Sequence, residues 1–216
     1  LSRHELIGGN TLVPQLFRDY PEVLNPRASP AAFDEKIARA RDQLLNATAL
    51  VSIEDLLPSG DSLTFTTYAD PLTGHKFPTG IPVRRAWLKV RVFDGASQLV
   101  FKSGDFDTLG RITDAAGNVL PSELAGGPVA PHYDSIDSDA EVQIYEAVME
   151  DQAGNPTYRL LRAAGYAKDN RLLPRGWSPT NVNIDMIAAA GVDGDLDYTN
   201  GGDRVAWTID TTGHSG

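Results

Sequence analysis

The spacing of apolar residues along the chain changes near Leu50. Before it, Phe33, Ile37, Ala40, Leu44 and Ala47 recur every three or four positions, which lines them up on one face of a helix. The pattern predicts that helix over residues 29–49. Ser29 supplies an N-cap oxygen, Pro30 takes the first helical position, where its missing N–H is no loss, and Asp34 and Glu35 fall in the first turns. An apolar stripe of this kind must pack on something, either the body that follows or a part lying before it.

After Leu50 the period becomes two. Leu63, Phe65 and Thr67 alternate with Thr64, Thr66 and Tyr68, and Trp87, Lys89, Arg91 and Phe93 alternate with Leu88, Val90 and Val92. Asp94 and Gly95 then open a turn before residues 98–102, which reads as a β-hairpin. Val142, Ile144 and Tyr145 begin a strand that reaches Met149, residues 151–155 turn it into a partner at 158–161, and Val205, Trp207 and Ile209 make a terminal strand. No helices of βαβ type intervene. The predicted fold is therefore mainly β: an antiparallel β-sandwich, immunoglobulin-like or jelly-roll-like, with a short N-terminal helical segment. On this reading residues 1–50 form the helical segment and residues 51–216 the sandwich domain. Two long stretches, 104–140 and 166–192, interrupt the strands, and connections of such length usually fold locally or carry function.

Composition narrows the function classes. A chain of 216 residues can bury about 70% of its unfolded surface, enough for one sizeable core. The 29 acidic against 19 basic side chains give a formal charge of −10. That argues against a nucleic-acid surface, which needs a basic face to neutralise phosphates, and favours cations or basic partners. With no cysteine in the chain, disulfides, thiol chemistry and covalent haem attachment through Cys-x-x-Cys-His are excluded. No apolar run approaches the roughly 18 residues of a membrane span, and no signal peptide is visible.

Candidate chemistry falls in three places. The Gly/Pro-framed run from Gly74 to Val90 presents His75 and the pair Arg84 and Arg85, which suit a carboxylate, a haem propionate or an internal acid. His132 follows a proline as His75 follows a glycine, and Asp134 or Glu146 would complete a polar, metal or acid–base site if the fold brought the two histidines together. The run 191–203 places Asp193, Asp195 and Asp197 at alternate positions around Gly194, with Asn200 and Asp203 following. Hard oxygen ligands at i, i+2 and i+4 on a glycine-bearing loop suit Ca²⁺, although the glycine and the closing glutamate of an EF-hand are not in place. Residues 168–171, Lys-Asp-Asn-Arg, read as a turn. Nucleophile elbow, phosphate loop, dinucleotide fingerprint and HExxH helix are absent, so a conventional enzyme is disfavoured.

Longer strings carry a resemblance. GHKFPTG and RRAW within 74–90, together with PHYDSIDSDAEVQIYEAVMEDQAGNPTYRLLRAAGYAKDNRLLPRGW from Pro131 to Trp177, resemble the haem-free region that follows the haem-binding segment in a family of bacterial multihaem c-type cytochromes. RHELIGGN, from Arg3 to Asn10, is similar to the point where the haem part hands over to that region. The resemblance implies a processed or excised piece of a longer exported protein, periplasmic or at the cell surface, with haem c only in the upstream part. It implies His4 as an axial haem ligand. It also implies an accessory role: structural support, or docking of the upstream haem-bearing domain or another redox protein during electron transfer. The alternative is a calcium-dependent carbohydrate- or surface-binding sandwich, for which Trp177, Tyr133 and Phe106 are the candidate exposed aromatic residues.

Overall fold

The computed structural model describes residues 9–180, 187–198 and 201–214. The chain divides into two compact units, Leu1–Leu50 and Val51–Gly216.

In the first unit the helices are α1 (Leu12–Asp19), α2 (Pro21–Leu24) and α3 (Pro30–Asn46). Ser29 caps α3, its side-chain oxygen accepting from Ala32 N at 3.3 Å, and Pro30 opens the helix. The predicted end at residue 49 is too late. Ala47 caps the helix and Thr48 is buried, its hydroxyl donating to the Gln43 carbonyl at 2.7 Å. Only the middle of the predicted stripe is buried, at Ile37 and Ala40. Phe33 stacks on Phe17 of α1 with ring centroids 5.9 Å apart, while Leu44 and Ala47 are exposed.

The second unit is mainly β, built from several antiparallel sheets. Its strands are β1 (Ala49–Ser59), β2 (Ser62–Pro71), β3 (Arg85–Trp87), β4 (Val90–Phe93), β5 (Leu99–Ser103), β6 (Asp105–Phe106), β7 (Ile112–Thr113), β8 (Ser135–Ile136), β9 (Ile144–Glu150), β10 (Pro156–Thr157), β11 (Gly165–Asp169) and β12 (Asp203–Asp210). One sheet runs β1-β2-β12-β8, in which β8 lies parallel to β12, unlike the antiparallel pairings elsewhere in the unit. Its centre is an eight-residue antiparallel pairing of β2 with β12, from Asp203 opposite Ala69 to Asp210 opposite Ser62. Both strands bury alternate residues, as the period of two predicts. Trp207 is almost fully buried, stacks on Phe65 at 5.8 Å and donates its indole N–H to the Thr67 hydroxyl at 2.9 Å, which explains a threonine on the buried face.

A second sheet runs β10-β9-β11, and β3 pairs with β9 at residues 144–146 while β10 takes 149–150. β9 is buried on both faces, Tyr145 turning into the main core and Ile144 into the smaller one. The predicted strand 87–93 is two strands. It breaks at Leu88 and Lys89, where Leu88 N donates to the Gln143 carbonyl, and β4 alone forms the hairpin with β5. Gly104 ends β5 at φ +78°, and a Cβ there would overlap the Leu88 carbonyl oxygen. The main core gathers Phe65, Trp207 and Ile209 from one sheet with Tyr145, Leu172 and Leu173 from the other side, and a smaller core holds Ile112, Leu120, Val142 and Ile144.

Candidate functional site

Two of the strings that carry the resemblance, 74–80 and 131–177, far apart in the sequence, meet in one buried polar assembly. Phe77 N donates to the Leu172 carbonyl at 2.9 Å, joining the 74–80 loop, with its cis Phe77–Pro78 bond, to the 170–174 segment. Lys76 reaches Asp169 at 2.6 Å, and Arg171 grips the same carboxylate with two bonds of 2.7 Å. Residues 168–170 are thus not a turn: Lys168 and Asp169 end β11, and with Asn170 they are buried. Burial opposes ionisation of Asp169, but the bonds from Arg171 and Lys76 outweigh it and hold the carboxyl below the ordinary carboxylate range. Lys168 is buried as well, donating to the Ile144 carbonyl at 3.0 Å and to Glu146 at 3.2 Å. Burial pushes its pKa down and Glu146 resists the shift.

His132 lies beside these groups, its side chain 4% exposed. Nε2 sits 2.8 Å from Asp195 Oδ2, and Nδ1 lies 2.7 Å from Gln143 Nε2 and 3.0 Å from Asn170 Nδ2. The orientation of both amides is fixed by their other bonds. Gln143 Oε1 accepts from Tyr133 N, while Asn170 Oδ1 accepts from Glu146 N and its Nδ2 donates to the Ile144 carbonyl. Both therefore turn N–H groups towards Nδ1, so Nδ1 is an acceptor and the ring proton resides on Nε2, donating to Asp195. Burial pushes the imidazole below its ordinary pKa against the pull of Asp195. His132 is a neutral histidine of fixed tautomer, and neither nitrogen is left to take a proton from a substrate.

Two further carboxyl groups, of Asp197 and Asp203, crowd Asp195. Its Oδ1 accepts from the backbone N–H of Asp197 and Tyr198 at 3.0 and 3.1 Å, a turn that folds residues 195–198 back on themselves. Asp203, at the start of β12, is 0% exposed. Its Oδ2 accepts from Tyr145 at 2.6 Å and Gln143 at 2.9 Å, whereas Oδ1 has no hydrogen-bond partner among the described residues and lies 3.9 Å from His132 Nε2. Asp197 Oδ1 is likewise buried and unpartnered among the described residues, and Arg204 stands 3.5 Å from Oδ2. Burial first, then the neighbouring carboxylates, pushes Asp203 up to about 7 and Asp197 to about 6. Asp195, with more donors, is held below its ordinary value despite its burial.

The structure separates several residues that the sequence offered together. His75 is exposed, with Nδ1 at 3.0 Å from the Lys76 carbonyl, whereas His132 is enclosed on Asp195. Arg85 makes a bidentate pair with the buried carboxylate of Glu123 and stacks over Trp87, while Arg84 is exposed and caps the Thr79 carbonyl. Asp195 and Asp197 come within ligand range of each other and of Asp134, but Asp193 is exposed and joins no such group among the described residues. His4 lies outside the described residues. Of the three candidate exposed aromatics, Trp177 and Tyr133 pack against the main core and only Phe106 is exposed, edge-on to Trp87.

Gln143, Asn170, Tyr145 and Asp203 are members of the site that sequence reasoning did not rank. Asp203 has a legible signal: a charged residue placed directly before a strongly alternating strand, at a position of the buried phase. No family model, curated protein or solved structure matches the chain.

Proposed function

We propose that this chain is a non-catalytic accessory module of an exported multihaem c-type cytochrome, periplasmic or at the cell surface, giving structural support or docking the haem-bearing part or another redox protein. The observation that carries the reading is the assembly itself. Two strings of the resemblance, 74–80 and 131–177, interlock through Lys76–Asp169 and Phe77–Leu172, and the second is tied to itself through His132–Gln143–Asn170, which is what a scaffold-defining motif does. With both His132 nitrogens engaged, the residue best suited to acid–base work serves packing instead. The finer fold belongs to the same reading: the β1-β2-β12-β8 and β10-β9-β11 sheets form an antiparallel sandwich, immunoglobulin-like or jelly-roll-like. The joint core of Phe65 and Trp207 with Tyr145 supports this. His4 would serve the neighbouring haem as an axial ligand.

The test is to count Cys-x-x-Cys-His motifs in the polypeptide encoded upstream of Leu1 and to record visible spectra. Several motifs, with c-type haem bands in the parent and none in the 216-residue chain, are the expected result. A parent without any such motif overturns the reading.

A further inference from the structure

We propose that the cleft between β9 and the segment 121–130 binds an ammonium or guanidinium group on an alkyl stem, against the carboxylate of Glu146. The cleft measures about 410 Å³, within the range of about 300–1,000 Å³ typical of small-ligand sites. Its floor is one face of β9, where Ile144, Glu146 and Val148 alternate, and Arg85 of β3 pairs opposite Glu146. Its roof is already fixed. Arg85 grips both oxygens of Glu123, Glu123 Oε2 also accepts from Ile112 N at 3.1 Å, and a Cβ on Gly127 would overlap the Pro121 carbonyl oxygen. A second cleft of about 310 Å³ shares Arg85, Glu146 and Tyr158 with the first. These three side chains are therefore the polar groups on which both clefts converge.

Of the two carboxylates in the cleft, Glu146 alone keeps an acceptor open. Both oxygens of Glu123 are taken by Arg85. Glu146 Oε1 receives Lys168 at 3.2 Å, but that ammonium is shared with the Ile144 and Pro131 carbonyls at 3.0 and 3.4 Å. Glu146 Oε2 accepts from no donor among the described residues, and the side chain is 16% exposed, enough to admit a donor from the cleft. A charge-assisted bond formed in such a partly enclosed place is stronger than one at an open surface. Tyr158, exposed at the rim, has its hydroxyl pushed above its ordinary pKa by burial and then by Glu146, so the phenol lies in the field of that carboxylate. Its ring offers a face to a cation, while Val129, Val148 and Pro156 give an alkyl stem an apolar wall. Charge decides the sign of the ligand. An anion would have to take Arg85, whose guanidinium is committed to Glu123 and to the Gly110 carbonyl, and would sit beside Glu146. A cation meets an open carboxylate oxygen in a chain of formal charge −10.

The test is an amide NMR titration of the full chain with capped arginine, capped lysine, a free alkyl diamine, and capped norleucine, which keeps an alkyl stem without the charge. The assignment does not rest on the cytochrome reading, since none of these probes involves a haem protein. Saturable shifts are expected at Gly126, Gly127, Tyr158 and residues 146–148 with the three cationic probes, and binding of norleucine should be at least about tenfold weaker. Preference for the capped residues assigns the group to the side chain of a partner protein, preference for the diamine assigns it to a small molecule, and either supports the site. Glu146→Gln should weaken binding at least about tenfold. That variant also takes a carboxylate from Lys168, so should it fail to fold, Tyr158→Ala at the rim decides, with a fewfold loss expected. Absence of saturable shifts at millimolar concentration, shifts confined to surfaces outside the cleft, or norleucine binding as tightly as lysine would each overturn the assignment. So would wild-type affinity in the folded Glu146→Gln variant or, where that does not fold, in Tyr158→Ala.

Discussion

Asp169 and Asp203 are both buried carboxyl groups in the same polar assembly, yet they are neutralised in opposite ways. Asp169 sits between two cations, Lys76 and Arg171, whose side chains are themselves largely buried. Asp203 has two neutral donors on one oxygen and, among the described residues, none on the other, and its charged neighbours are two more aspartates. The first site carries its counter-charge in the sequence, so it is complete once folded. The second has no counter-charge against it among the described residues, and burial raises its carboxyl to about 7 instead. A buried carboxyl stays ionised when a cation of the chain is held against it, and moves towards its neutral form when none is.

The sharpest way to break the comparison is to remove one negative charge from each site. Asp169→Asn strands Lys76 and Arg171 in a buried environment, and a loss of about 3–5 kcal/mol is expected, read from urea unfolding. Asp203→Asn should cost less than about 1 kcal/mol, since the amide oxygen still accepts from Tyr145 and Gln143 and the amide nitrogen replaces an oxygen that has no donor among the described residues. Equal losses at the two positions would refute the contrast.

Acid should separate the sites too. The Asp169 carboxyl is held below its ordinary value in the folded state, so the folded chain binds fewer protons there than the unfolded one. Its contribution is fully present above the usual carboxylate range near pH 4, and is lost as pH falls through the depressed folded value. Urea midpoints measured downward from about pH 6 should therefore fall more steeply for wild type than for Asp169→Asn, the two curves converging in acid.

A smaller effect is expected next to Asp203. A Cβ on Gly202 would lie 2.5 Å from Tyr68 Cε2, and the constraint there is space, since the backbone conformation is open to any residue. Gly202→Ala should cost about 1–3 kcal/mol by overpacking.

Much of the fold was legible in local pattern, and much of the site was not. Ser29 and Pro30 announce the start of α3, alternation at Leu63–Tyr68 and Val205–Ile209 announces β2 and β12, and Asp94-Gly95 announces the β4–β5 hairpin. The mainly β class follows from these. β1 escaped because its apolar residues do not alternate and stay exposed, including Val51, Ile53, Leu56 and Leu57. β3 and β8 escaped because strands of two or three residues owe their existence to their partners, not to their own sequence. The polar site depends on the same long-range pairing. Spacing put Asp193 beside Asp195 and Asp197, whereas the fold substitutes Asp134 from another loop and Asp203 from the start of a strand. Nothing local marks Gln143 and Asn170 as the pair that fixes the tautomer of His132.

Arg204 offers the finest test of the comparison, being the cation that does reach the acidic site. It lies 3.0 Å from Glu54 and 3.5 Å from Asp197, and its side chain is 45% exposed. An exposed pair of this kind contributes little to stability, so Arg204→Gln should change it by less than about 1 kcal/mol. Its effect on the acidic site should be visible all the same. Burial and Asp195 push the Asp197 carboxyl up to about 6 against the opposing pull of Arg204. Removing the guanidinium should push that carboxyl further up, read by NMR titration of its side chain, most strongly at low ionic strength where screening is weakest. An unchanged titration would mean that Arg204 does not compensate Asp197, and the acidic site would then be further from the pre-paired arrangement at Asp169 than its geometry indicates.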